Sequence, residues 1–281
     1  MSYQIFHEDA LTWLAARPER TVHAVVTDPP FSPLEFAPEE LAKKKAGHGG
    51  VWREPSALNG TPRAPVPRFT VLSAAQLKAH GEFMGEVAAA LLRVLVPGGH
   101  VVMAGSTLLE DVTASAFRAA GLEPRGKIIR LVQTLRGGDR PKNAEGEFPD
   151  VSVMPRAGYE PWAIFRKPCE GTVAENLRAY GTGGFRRPGP GQPFGDVLRA
   201  PPASKAERRL AQHPTLKPQS FLRPVVRGVL PLGRGVILDP FMGSGSTVAA
   251  AVALGLAAVG VEKNAEFYAL AGRAIPALAA L

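Results

Sequence analysis

The stretch TDPPF, Thr27 to Phe31, follows the apolar run Ala24, Val25 and Val26. Neither proline can donate a backbone hydrogen bond, and each fixes its own φ near about −65°, so Asp28-Pro29-Pro30 ends a strand abruptly and stiffly. One carboxylate stands before the kink and one aromatic ring, Phe31, after it. A strand-end turn with a buried Phe has the same sequence, so the stretch alone does not choose between chemistry and packing. A second stretch, LDPFMGSGST from Leu238 to Thr247, follows an apolar strand and opens an Ala-rich helix. Gly243 and Gly245 let the backbone turn tightly and approach a ligand faced by helix N-terminal amides; ordinary tight turns share this spacing. Glu262 lies seventeen residues beyond Gly245, at the end of the next strand. Acids so placed take ribose hydroxyls in nucleotide-type folds, and a solvated strand-end Glu is the alternative.

The elements that must hold these residues alternate between strand and helix. Tyr3 to His7 reads as a short strand, Ala10 to Ala16 as a helical turn or two, and His23 to Thr27 as a buried strand. Helical periodicity runs from Ala74 to Leu95, closed by Pro97 and Gly98 before the strand His100 to Ala104. From Pro218 a helix, the strand Gly235 to Leu238, the Gly turn, a helix from Thr247, the strand Ala257 to Val261 and a last helix follow. The fold class is therefore α/β. Two stretches break the rhythm. Residues 32–71, rich in Pro and Gly, read as a mobile loop, and residues 125–212 as an insert between the two parts of a main domain, 1–124 and 213–281.

Charge sets the insert apart. Of a net charge of +8, seven units lie in residues 125–212, which hold sixteen Lys and Arg against nine Asp and Glu. Arg dominates there, and its planar fork suits phosphate; a concentrated positive field suits a polyanion, and a solvated loop region fits the same count. The lone Cys169 forms no internal disulfide, and the six His show no metal-ligand spacing, so no metal is expected. No apolar run reaches the roughly 18 residues of a membrane span, and the first residues lack a signal peptide's pattern, which predicts a soluble cytoplasmic protein with no membrane partner.

TDPPF together with FMGSGST resembles the amino-group DNA methyltransferases, in which D-P-P-Y/F is catalytic and F-x-G-x-G binds S-adenosyl-L-methionine. The catalytic motif comes first here, as in the circularly permuted β class. IFHEDA (Ile5 to Ala10), HPTLKP (His213 to Pro218) and LVPGGHVVMAG (Leu95 to Gly105) fit the same group in order, and YEPWAIFRKP and EGTVAENLRAYGTGG resemble a phage and bacterial branch of it.

The resemblance implies a Rossmann-like methyltransferase fold with a mixed, mostly parallel sheet and an inserted target-recognition region. It assigns catalysis to Asp28, Pro29, Pro30 and Phe31: the Asp28 carboxylate and Pro29 carbonyl accept hydrogen bonds from a base amine, and Phe31 stacks on the base. It gives cofactor contacts to Asp9, Ala10, Asp28, Thr215, Lys217, Asp239, Pro240, Phe241, Gly243, Ser244, Gly245, Ser246, Thr247, Glu262 and Lys263. Thr215 and Lys217 are expected near the methionine end and Asp9 near the adenine. The implied partner is double-stranded DNA with the target base flipped out, and the group also admits a homodimer. Arg136, Arg140, Lys142, Arg186 and Arg187 are the expected DNA contacts. Within the group D-P-P-F favours adenine N6; cytosine N4, an RNA amine and a non-catalytic DNA-binding scaffold are the alternatives, in that order.

Overall fold

The structure, a computed structural model, describes residues 3–30, 53–56, 72–132, 134–136, 141, 143–144, 146–153, 155, 158–213 and 215–281. Ten strands are described: β1 (Tyr3–His7), β2 (Val22–Thr27), β3 (Arg53–Ser56), β4 (Leu95–Ala104), β5 (Glu123–Leu131), β6 (Thr134–Arg136), β7 (Tyr159–Arg166), β8 (Val197–Arg199), β9 (Val236–Asp239) and β10 (Ala257–Glu262). The described helices are α1 (Ala10–Ala15), α2 (Ala74–Val94), α3 (Glu110–Ala119), α4 (Val173–Tyr180), α5 (Lys205–Leu210), α6 (Gln219–Gly228), α7 (Ser246–Ala253) and α8 (Ala265–Ala279).

Eight strands form one sheet in the order β1-β10-β9-β2-β4-β7-β5-β8, and β3 pairs with β6 in a separate two-stranded sheet. Only β7 runs against its sheet neighbours. Helices cover both faces, as a largely parallel sheet requires. On one face α1, α2 and α3 bury Trp13, Leu14, Met84, Leu91 and Phe117 against Val25, Val101 and Phe165. On the other, α6, α7 and α8 bury Phe221, Val225, Val248 and Ile275 against Val26, Val102, Trp162 and Ile237. Local signals agree with these elements: Ser73 and Gln76 form a reciprocal capping box at the start of α2, and Asn264 caps α8.

The expected α/β fold with a mixed, mostly parallel sheet is thus present, with two corrections. Residues 125–212 are not a separate insert, because β5, β7 and β8 within them are strands of the main sheet; their Gly- and Pro-rich segments are the connections between strands. Residues Pro97 to Gly99, read as a turn, lie inside β4, whose register with β2 jumps from Val22↔Leu95 to Ala24↔His100. Of the 32–71 stretch, only the backbone of β3 is among the described residues.

The chain order creates a crevice. After β9 the chain turns through α7 to β10 on one side, whereas after β2 it proceeds through α2 to β4 on the other. Neighbouring β9 and β2 therefore flank the topological switch point, and ligands of open α/β sheets bind beyond the carboxyl ends of the strands there.

Candidate active site

Both chemical motifs fall at that point. Asp28 directly follows β2, and Asp239 is the last residue of β9. Thr27 Oγ1 donates to Asp239 Oδ1 at 2.7 Å, which ties the two strand ends together in the buried interior. Asp239 Oδ1 also accepts from the Phe241 N–H at 3.2 Å, so its carboxylate shapes the turn that follows. Burial pushes the Asp239 carboxyl up to about 7, against hydrogen bonds from Thr27, Thr247 and the Phe241 amide and with the charge of Asp28 adding to the rise.

Asp28 sits in a row of charges. Its Oδ2 accepts a hydrogen bond from Lys217 Nζ, and Lys217 Nζ lies 3.9 Å from Glu160 Oε1. Glu160 in turn accepts from Trp162 Nε1 at 2.8 Å and from Arg130 Nη1 at 3.4 Å. Arg130, 1% exposed, donates to the Pro201 carbonyl at 2.9 Å and stands over the Phe221 ring. The second oxygen of Asp28, Oδ1, is buried with no hydrogen-bond partner among the described residues. Burial raises the Asp28 carboxyl above the usual carboxylate range, with Lys217 opposing, Glu160 adding to the rise and Arg130 opposing. Pro29 is buried and Pro30 half-buried.

The Gly turn leads from β9 into α7. Gly243 at φ 53° and Gly245 at φ 83° hold left-handed backbone that other residues rarely adopt. Glu262, at the end of β10, fastens the turn: Oε2 accepts from the Gly243 N–H at 2.9 Å and Oε1 from the Asn264 N–H at 2.7 Å. Burial raises the Glu262 carboxyl, with these backbone donors opposing. A Cβ on Gly245 would lie 2.4 Å from Ile275 Cγ1, so this glycine serves packing onto α8. A Cβ on Gly243 would lie 3.1 Å from His213 Nε2, which places the His213 ring over the turn. His213 also packs edge-on against Phe267, and Thr215 Oγ1 lies 3.2 Å from His213 Nδ1.

The remaining expected cofactor residues gather at the same edge. Pro240, Ser244, Ser246 and Thr247 are buried in the turn and first helical turn, and Phe241 meets Phe83 edge-on. Asp9 follows β1 and caps α1 by accepting from the Leu11 and Thr12 amides at 3.0 and 3.3 Å; Ala10 is buried beneath it. Lys263 Nζ pairs with Asp9 Oδ2 at 3.2 Å, an exposed pair that contributes little to stability.

The expected DNA contacts divide. Arg140 and Lys142, like the expected catalytic Phe31, lie outside the described residues, and of Arg136 only the backbone, on β6 just past β5, is described. Arg186 and Arg187 lie at the opposite end of the sheet. The Arg186 amide donates to the Gly228 carbonyl at the end of α6, and its guanidinium rests on Gly233, before β9 begins. The Arg187 carbonyl accepts from Arg227. The net charge of a segment does not reveal which end of a sheet each loop occupies. By contrast, residues 199–213 and 215–217 run along the carboxyl edge, from the end of β8 to the Gly243 turn and Asp28, and expose Arg199, Lys205 and Arg209.

Sequence reasoning missed Glu160, Arg130 and Trp162. A basic residue inside the apolar run Ile128 to Leu131 and an acid two positions before a Trp were signals of buried pairing.

The DNA methylase family model N6_N4_Mtase matches residues 157–273, a segment that includes Glu160, Lys217, the Gly turn and Glu262. Residues 157–273 are thus similar to a family of DNA methylases. A curated relative, Type II methyltransferase M2.MboI of Moraxella bovis, is 36% identical over 78 residues, which span 28% of each chain. Among solved structures, TTHA0409 from Thermus thermophilus in complex with S-adenosyl-L-methionine has a TM-score of 0.60 at 20% identity, over 99% of this chain and 95% of that one. The PvuII DNA methyltransferase, described as cytosine-N4-specific, has a TM-score of 0.62 at 14% identity, over 97% and 86%. At these identities the likeness is one of fold, and it covers nearly the whole chain.

Proposed function

We propose that this chain transfers a methyl group from S-adenosyl-L-methionine to the N6 amine of adenine, in a base flipped out of double-stranded DNA. One observation carries the reading: the buried Asp28 Oδ1, free of any hydrogen-bond partner among the described residues, sits at the switch point beside the Gly turn. An unpaired buried carboxylate oxygen costs stability unless a ligand fills its place.

The residues present fit the cofactor. Two left-handed glycines open α7, whose N-terminal amides suit a polar ligand, and the Glu262 and Asp9 carboxylates stand at neighbouring strand ends as acceptors for hydroxyl and amine groups. When bound, S-adenosyl-L-methionine supplies a methyl group made electrophilic by its sulfonium.

The chain's own groups act on the base. An exocyclic amine is a poor nucleophile because its lone pair is delocalised into the ring. Asp28 Oδ1 and the Pro29 carbonyl each accept one amine hydrogen and draw the nitrogen toward tetrahedral geometry, which frees the lone pair. Pro30 disfavours helical geometry at Pro29 and so keeps that carbonyl outward. As the N–C bond forms, the C–S bond breaks and its electron pair stays on sulfur; the nitrogen, now cationic, loses one proton, for which Asp28 Oδ1 is the acceptor at hand. Flipping the base costs roughly a few kcal/mol, offset by phosphate contacts. Arg136, Arg140 and Lys142 remain candidates for these, joined by Arg199, Lys205 and Arg209 on the carboxyl edge.

Adenine is favoured because Asp precedes the proline pair, where Ser is typical of the cytosine-N4 members this sequence resembles. Labelled methyl transfer to unmethylated genomic DNA, followed by nucleoside analysis, decides the base: N6-methyladenosine is expected. N4-methylcytosine would keep the mechanism and overturn the base, whereas label in RNA alone would overturn the DNA substrate.

A further inference from the structure

We infer that Lys217 is a positioning residue for Asp28: its ammonium holds Oδ2 so that Oδ1 alone faces the base amine. The inference rests on the proposed amine methylation and differs from the expectation that Lys217 touches the methionine end of the cofactor. Lys217 is 8% exposed, and its Nζ meets Asp28 from 189 residues further along the chain.

Two physical demands converge on this contact. The terminal torsion of an Asp side chain is broad and roughly two-fold, so a carboxylate at a strand end has no intrinsic aim. Anchoring one oxygen fixes the direction of the other. A buried carboxylate also tends to neutralise unless a cation faces it, and a protonated Asp28 could not accept on both oxygens. The groups facing Asp28 are Lys217, Glu160, Arg130 and Asp239. Of these Lys217 alone bonds it.

Lys217 has a second carboxylate nearby. Glu160 Oε1 lies 3.9 Å from its ammonium, and Glu160 is fixed by Trp162 and Arg130. Lys217 Nζ also lies 3.5 Å from the Thr215 carbonyl and about the face of Trp162, 6.0 Å from the ring centroid. The row Arg130, Glu160, Lys217, Asp28 alternates in sign, so each member offsets its neighbour's burial. Its anchor, Arg130, sits at the far end on the Pro201 carbonyl.

The test uses the full chain with Lys217→Met, Lys217→Arg and Asp28→Asn, and the double variant Asp28→Asn with Lys217→Met. Calorimetry gives cofactor affinity, and single-turnover methyl transfer at saturating cofactor gives the rate against pH. Lys217→Met should keep cofactor affinity within about threefold, lower the neutral-pH rate by about tenfold or more, and move the acid limb of the pH–rate profile up by about one unit or more. Lys217→Arg, which keeps the charge, should leave the acid limb in place. The double variant should be no slower than Asp28→Asn alone, because the two residues act as one unit. A weakened cofactor affinity with an unchanged saturated rate would place Lys217 on the cofactor and overturn the inference, as would an acid limb that stays put in Lys217→Met. If Lys217→Met does not fold, a shifted limb in Lys217→Arg overturns it and an unmoved one supports it. A wild-type chain that transfers no methyl to any nucleic acid would overturn the proposed function first, and this role with it.

Discussion

Thr27 Oγ1 donates to Asp239 Oδ1 at 2.7 Å, a bond between the last residues of two neighbouring parallel strands whose connections leave in opposite directions. It joins the half of the sheet that carries the Gly turn to the half that carries Asp28. The two motifs stand at opposite ends of the sequence and one hydrogen bond apart in space.

Asp239 should therefore govern how stability depends on pH. Its carboxyl is raised from 3.8 to about 7, so between these values the folded chain binds more protons than the unfolded chain. The stability contribution of this group is thus present at low pH and falls as pH rises through the interval, then stays level above it. Asp28 and Glu262, raised in the same direction, add to the fall. Asp239→Asn retains an acceptor for Thr27 and cannot ionise, so urea unfolding of this variant should show a flatter decline between about pH 4 and 7. An unchanged slope would mean that Asp239 titrates normally.

Gly245 and Gly243 should respond differently to alanine. At Gly245 a Cβ meets Ile275 at 2.4 Å on backbone of φ 83°, so Gly245→Ala should lose more than about 1 kcal/mol of stability and release α8 from α7. At Gly243 the nearest atom is the His213 ring at 3.1 Å, a side chain that can turn aside. Thermal unfolding should rank Gly245→Ala well below Gly243→Ala, while Gly243→Ala should show its larger effect in cofactor binding. Equal melting temperatures would contradict the packing role of Gly245.

DNA affinity should depend on the carboxyl edge. Lys205→Ala with Arg209→Ala should weaken binding across sequences and reduce the slope of log affinity against log salt by about 1 for each phosphate left without its cation. Arg186→Ala with Arg187→Ala should leave both affinity and slope unchanged, since these residues lie at the other end of the strands. Fluorescence anisotropy over a salt series measures both. A weakening confined to the Arg186 and Arg187 variant would move the DNA surface to the amino ends of the sheet.

Much of this site was legible because local chemistry advertises itself. Two prolines after Asp28 must end a strand, and glycines at 243 and 245 before an Ala-rich run must turn into a helix; both readings hold in the structure. Glu262 at its strand end was equally readable, although its carboxylate fastens the Gly turn itself. What sequence could not supply was anything set by the order of strands. The contact of Lys217 with Asp28 joins residues 189 positions apart, which the order of strands β9 and β2 brings to one end of the sheet. Arg186 belongs to a basic segment yet rests on Gly233 at the amino ends of the strands, and residues 125–212 resemble an insert because their loops outweigh three strands that complete the sheet. Arg130 is one basic residue among many in that segment, and the partners that offset its burial, among them Glu160 and the Pro201 carbonyl, lie 30 and 71 residues away.

The central claim is that Asp28 is the acceptor that activates the base amine. Methyl transfer to unmethylated DNA, measured at saturating cofactor for wild type and Asp28→Ala together with cofactor affinity by calorimetry, tests it most directly. Turnover of Asp28→Ala should fall by about a hundredfold or more, with the cofactor still bound. Unchanged turnover in Asp28→Ala would contradict it.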